Sequence, residues 1–133
     1  MKHLKFNSND PFKEIRKNPS RINEFYKEII DFEIELIEEN NKKQYLILQQ
    51  SFEDMTVKYL FISFQQKTLN WEKFDEIITD YTAFVKDKGE YNYRKTKLII
   101  IAKDYSREVL EYINSYNEIY EKRKAIAVFK LDN

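Results

Sequence analysis

The sequence predicts an α/β domain with a mixed sheet and flanking helices. Three observations carry that prediction. Apolar residues recur at helical spacing over Ile22–Ile30, then alternate with polar ones from Phe32 to Leu36. A short, wholly apolar run, Leu98–Ala102, has the character of a strand buried on both faces. A final apolar stretch, Ala125–Phe129, follows one more helical pattern, so the chain closes as strand, helix, strand, a unit that needs a right-handed crossover.

Taken in order, residues 1–19 form an amino-terminal arm, and residues 20–133 form a single α/β domain. In the arm, Asp10-Pro11 has the chemistry of an N-cap followed by a first helical residue, and Asn18-Pro19 ends the short helix it would start. Ser20 caps a second helix, in which Ile22, Phe25, Tyr26, Ile29 and Ile30 share one face. A three-strand meander follows: Phe32–Leu36 with a wet face, a turn over residues 38–43, Tyr45–Leu48 fading into Gln49-Gln50, a second connection at residues 53–56, and Val57–Phe64. Asn70 caps a long helix with the stripe Trp71, Phe74, Ile77, Ile78, Tyr81, Phe84 and Val85, and Gly89 stands just past its expected end. The strand Lys97–Ala102 comes next. Asp104 or Ser106 then caps a helix that turns Val109, Leu110, Ile113, Tyr116 and Tyr120 inward, and the strand Lys124–Leu131 ends the chain.

Composition narrows the function classes. The chain has 133 residues, a mass of 16.3 kDa, and 23 basic against 23 acidic side chains. A balanced charge excludes a globally polybasic, histone-like protein and a strongly acidic tail. The charged fraction of 35% exceeds the usual ~25%, so the core relies on ten Phe, ten Tyr and one Trp. With no cysteine there is no disulfide, thiolate metal site or cysteine nucleophile. His3 is the only histidine and sits in the arm, expected to be loosely held; neither a His triad nor a zinc site can be assembled. One glycine cannot build a phosphate-cradling loop. No apolar run is long enough to span a bilayer or serve as a signal peptide, so a cytoplasmic protein without membrane contact is expected.

The order helix, three strands, helix, strand, helix, strand resembles the core of the PD-(D/E)XK superfamily, the restriction-endonuclease-like fold of many restriction enzymes and Holliday-junction resolvases. The resemblance spans Ser20 to Leu131 and lies in topology and pattern. It implies an Asp on the second strand and a Glu-x-Lys on the third, carboxylates that hold a divalent cation, and a Lys that helps activate water for phosphodiester attack. Here the Glu-x-Lys slot falls on Ser63-Phe64-Gln65, and the Asp slot on Leu48, Gln49 or Gln50, according to the register of the hairpin. Gln49, Ser63 and Gln65 are therefore remnant-site candidates; alternatively Gln49, Gln50 and Gln65 simply mark wet strand ends. A hydroxyl and two amides do not replace the carboxylates a hard cation needs, so no metal and no cofactor are expected, and no catalytic residue is assigned.

Two basic groups remain, Arg94, Lys95 and Lys97 before one strand and Lys122, Arg123 and Lys124 before the other. In a parallel pair both strands begin at the same end of the sheet, so the six side chains, with Tyr91, Tyr93 and Tyr120, would form one patch for phosphates and bases. The resulting expectation is a non-catalytic, nucleic-acid-associated or accessory binding module that holds DNA or RNA weakly. Its alternatives are a metal-dependent nuclease with carboxylates relocated to Glu33, Glu35 and Glu38, joined by Glu28, and a purely structural or protein-interaction subunit; Tyr112, Tyr116 and Tyr120 read as a half-buried stripe that could support self-association. The acidic residues Glu72, Asp75, Glu76 and Asp80 read as the solvated outer face of the long helix.

Overall fold

The structure, a computed structural model, describes residues 1–7, 10–18, 21–22, 31–40, 43–51, 57–87, 96–120 and 125–132; for 31–40, 43–44, 49–51 and 57–58 it describes the course of the backbone. Six strands and three helices run in the order β1 (Lys2–Leu4), α1 (Pro11–Lys17), β2 (Asp31–Asn40), β3 (Lys43–Ser51), β4 (Val57–Leu69), α2 (Trp71–Asp87), β5 (Thr96–Tyr105), α3 (Arg107–Ile119) and β6 (Ala127–Leu131). The Ser20-capped helix, the Gly89 terminus of α2 and the connection at residues 53–56 lie outside the described residues.

One mixed sheet holds all six strands in the order β1-β6-β5-β4-β3-β2. The meander β2-β3-β4 is antiparallel, whereas β4, β5, β6 and β1 are parallel. The expected central strands, β4 and β5, occupy the middle of the sheet. Their apolar character on both faces has a direct cause, because each face is covered. Phe61, Leu98, Ile100 and Ala102 pack beneath α2 and α3, together with Phe74, Ile77, Val85, Val109 and Ile113. Leu60, Ile62, Ile99 and Ile101 face the other way, onto Leu4, Phe6, Phe12, Ile15 and Ile22. The period of two along each strand thus divides the core into two layers.

The second layer depends on the amino terminus. Asp10 caps α1 by accepting the Lys13 N–H at 3.1 Å, with Pro11 at the first helical position, and Phe12 and Ile15 are buried beneath it. Phe6 and Phe12 meet Phe64 edge to face. The strand β1 lacks a periodicity signal, since three residues are too few to show one. It pairs in parallel with β6, and His3 Nδ1 lies 2.6 Å from Asp132 Oδ1. His3 is therefore held at a sheet edge, contrary to the loosely held terminus expected of it.

Three other boundaries differ from the sequence pattern. β4 runs five residues beyond Phe64, because pairing with β5 resumes at Thr68–Asp104 and Leu69–Tyr105 after an irregularity, so the polar run at 65–68 stays in the sheet. Asp104 also belongs to β5, and Ser106 is the N-cap of α3, accepting the Val109 N–H at 3.3 Å. Trp71 and Tyr120, expected inward, remain 37% and 41% exposed; Trp71 leans on Phe74 and Tyr112.

Candidate functional site

The stretch expected to carry the nuclease motif lies in the middle of the sheet. Ser63 stands opposite Tyr45 of β3 and Ile100 of β5 and is completely buried on the side covered by α2 and α3. Gln65, two residues on and so on the same face, donates from Nε2 to Ser63 Oγ at 3.0 Å. Phe64 points to the opposite layer, against Phe6 and Phe12. Two of the three remnant candidates therefore meet, and they satisfy each other.

Gln49 does not join them. Ser51 pairs with Val57 across the residue 52–56 connection, which sets Gln49 opposite Tyr59 and Tyr45 opposite Ser63. Along a strand the four-residue offset is about 13 Å. Leu48 and Gln50 pair with Leu60 and Lys58, so the position facing Ser63 belongs to Tyr45.

Tyr45 brings a carboxylate to this region. Its hydroxyl donates to Asp80 Oδ2 at 2.6 Å. Burial is the main reason that its phenol titrates above the usual tyrosine range, with the Asp80 hydrogen bond and charge next and Glu76 adding to them. Asp80 is consequently half-buried and bonded to the sheet, not a member of the solvated helix face expected for it. The signal was present in the sequence: Asp80 stands three residues after Ile77 and four before Phe84, at the border of the buried stripe. Glu76 remains exposed and pairs with Lys73 at 3.3 Å.

These groups do not fit a hard divalent cation. Ser63 Oγ already accepts a hydrogen bond from Gln65 Nε2 and is shut from solvent, and Asp80 Oδ2 accepts one from the Tyr45 hydroxyl. Among the described residues no group of three or more His, Asp or Glu side chains converges. Glu33, Glu35 and Glu38 lie on β2, the edge strand, with β3 between them and β4. Glu28 lies outside the described residues.

Of the six basic candidates, Lys97 is described: it is half-buried near the start of β5, opposite Leu60. Arg94, Lys95, Lys122, Arg123 and Lys124 lie outside the described residues, as do Tyr91 and Tyr93. β5 and β6 are parallel neighbours, so the chain enters both from the same end of the sheet, as expected. Next to Lys97, Thr96 is buried, and its carbonyl accepts from the Tyr81 hydroxyl at 3.0 Å. No helix among the described residues is long and apolar enough to cross a membrane.

Two further polar anchors escaped the sequence reading. Asn117 on α3 clamps the backbone ahead of β6, donating to the Ile126 carbonyl at 2.9 Å and accepting its N–H at 2.8 Å. Tyr105 crosses from β5 to β6, its hydroxyl 2.6 Å from the Phe129 carbonyl. A lone Asn in a helix and a Tyr at a strand end have no pattern that distinguishes them from surface residues.

No protein-family model matches the sequence, and no curated protein does. Solved structures do. EndoMS in its complex with double-stranded DNA superposes with a TM-score of 0.51 at 9% identity, over 90% of this chain and 41% of that one. The apo form of EndoMS gives 0.40 at 13% identity, over 90% and 43%. A repair endonuclease from Pyrococcus abyssi gives 0.41 at 10% identity, over 95% and 49%. The chain spans less than half the length of each of these proteins. Together with the mixed six-stranded sheet and its two crossover helices, the likeness to the EndoMS–DNA complex shows that the fold is restriction-endonuclease-like.

Proposed function

We propose that this chain is a restriction-endonuclease-like module that binds nucleic acid without cutting it. The observation that carries the reading is the Ser63–Gln65 pair, two neutral, hydrogen-bonded side chains at the positions to which the resemblance assigns Glu and Lys. A hydroxyl and an amide bonded to each other lack the carboxylate a hard cation needs, which supports a frame kept without the means of cleavage. The nucleic-acid part of the reading is supported by the shared entry end of β5 and β6, where the sequence carries Arg94, Lys95, Lys122, Arg123 and Lys124 ahead of the strands and Lys97 at the start of β5. The EndoMS structure of the same fold is a complex with double-stranded DNA.

Phosphate contacts release counterions, so affinity should fall with salt at a log–log slope of about −0.9 per contact on duplex DNA. A balanced charge implies few contacts, weak binding in the micromolar class and little sequence preference. Fluorescence anisotropy of a labelled duplex across a salt series tests this. Lys95→Glu with Arg123→Glu should abolish binding and leave the circular dichroism spectrum unchanged. Absence of binding at low salt, or indifference to the two reversals, would refute the reading and leave a protein-interaction role.

A further inference from the structure

The outer surface of α2 and α3 carries aromatic side chains that the core leaves partly exposed. Across it runs a ladder of four rings. Trp71 meets Tyr112 at 5.4 Å between centroids, Tyr112 stacks on Tyr116 at 6.3 Å, and Tyr116 meets Tyr120 at 4.4 Å. Tyr112 and Tyr120 are 42% and 41% exposed, and Ile119, seven residues after Tyr112 and so on the same helix face, is 76% exposed. Large apolar side chains gathered at one place on a surface mark an interaction site.

The charge around the ladder selects the partner. α2 carries five acidic side chains, one of them the sheet-bonded Asp80, against two basic, and α3 three against one. Because the whole chain is balanced, these helices hold a negative excess and the remainder a matching positive one. Asp75 stands one turn after Trp71 and Glu108 one turn before Tyr112, both exposed, so carboxylates bracket the rings. A nucleic acid would stack on tyrosine but meet repulsion from the carboxylates. A second copy paired about a two-fold axis would set acidic helix against acidic helix. Arginine satisfies both features, since its planar guanidinium stacks on aromatic faces and pairs with carboxylates.

We propose that the α2–α3 face docks a partner protein through an arginine-bearing segment, with guanidinium groups on the Trp71–Tyr112–Tyr116 ladder and paired to Asp75 and Glu108. Trp71 is the only tryptophan in the chain, so its fluorescence reports on this site alone. The probe is an alanine-based synthetic peptide with arginines at i, i+4 spacing, titrated beside its all-lysine twin and an oligothymidylate. The arginine peptide should give a saturable, salt-weakened change, about fivefold tighter than the lysine twin. Asp75→Lys with Glu108→Lys, both at exposed positions, should weaken it at least tenfold, and Tyr112→Leu should erase the preference for arginine. Equal binding of the two peptides, or no response to either, would overturn the proposal. So would a Trp71 response to oligothymidylate, or one that follows protein concentration alone, the sign of a second copy. Duplex binding through Lys95 and Arg123 is a separate readout and is expected to survive the Asp75 and Glu108 reversals.

Discussion

Replacing Tyr105 with Phe removes one oxygen and tests how β5 and β6 are joined. The ring is 6% exposed and packs in the layer beneath the helices, so Phe keeps the apolar contacts. The hydroxyl lies 2.6 Å from the Phe129 carbonyl and 3.1 Å from that of Ile100. A hydroxyl has one proton, so the variant loses one good hydrogen bond and a fraction of a second, about 1–2 kcal/mol. In a chain of this length that loss lowers the melting temperature by about 3–8 °C. The alkaline limb gives an independent check. Burial pushes the Tyr105 phenol well above its usual range. The folded state therefore keeps a proton that the unfolded chain releases above about pH 10. Stability from this group is fully present below that pH and is lost above it, at about 1.4 kcal/mol per pH unit. Tyr45 acts in the same direction, so the wild-type slope is shallower, not absent, in Tyr105→Phe. Urea unfolding followed by Trp71 fluorescence from pH 8 to pH 11 measures both effects. An unchanged midpoint at pH 8, or an unchanged alkaline slope, would refute the role assigned to this hydroxyl.

Two further perturbations probe the layer covered by α2 and α3. Asn117→Ala leaves the Ile126 N–H and carbonyl without their clamp, at a cost of about 1–3 kcal/mol, and hydrogen exchange at Ile126 should accelerate while β4 amides stay protected; uniform acceleration would contradict a local anchor. Ile77→Asp places a charge where the native side chain is completely buried, and cooperative thermal unfolding should be lost; a melt at the wild-type temperature would show that α2 does not pack as described.

The arrangement of strands and helices was legible because each of its signals is periodic and local. Residues 32–36 alternate, residues 71–85 repeat at helical spacing, and residues 98–102 are apolar throughout, so their partners hardly matter. The N-caps at Asp10, Asn70 and Ser106 followed from side chains that accept from their own helix. What could not be read depended on register. Whether Gln49 or Tyr45 faces Ser63 is decided by the connection at residues 52–56, and a hairpin offset leaves no trace in strand composition. Asp80 was misread for a related reason: a carboxylate at the edge of a buried stripe looks solvated until the strand beneath it supplies a phenol. The length of β4 was missed because Gln65, Gln66, Lys67 and Thr68 are polar, and only pairing with β5 keeps them in the sheet.

The proposed function rests on a retained fold in which Ser63-Phe64-Gln65 of β4 lacks the Glu and Lys that the resemblance implies. The most direct test incubates the protein with Mg²⁺ or Mn²⁺ and duplex, single-stranded and branched DNA, at protein concentrations above the dissociation constant found by anisotropy. The account predicts substrate that is bound and remains intact. Metal-dependent product that disappears with Glu33→Gln, Glu35→Gln or Asp80→Asn would contradict it and assign catalysis to carboxylates outside the Ser63–Gln65 stretch.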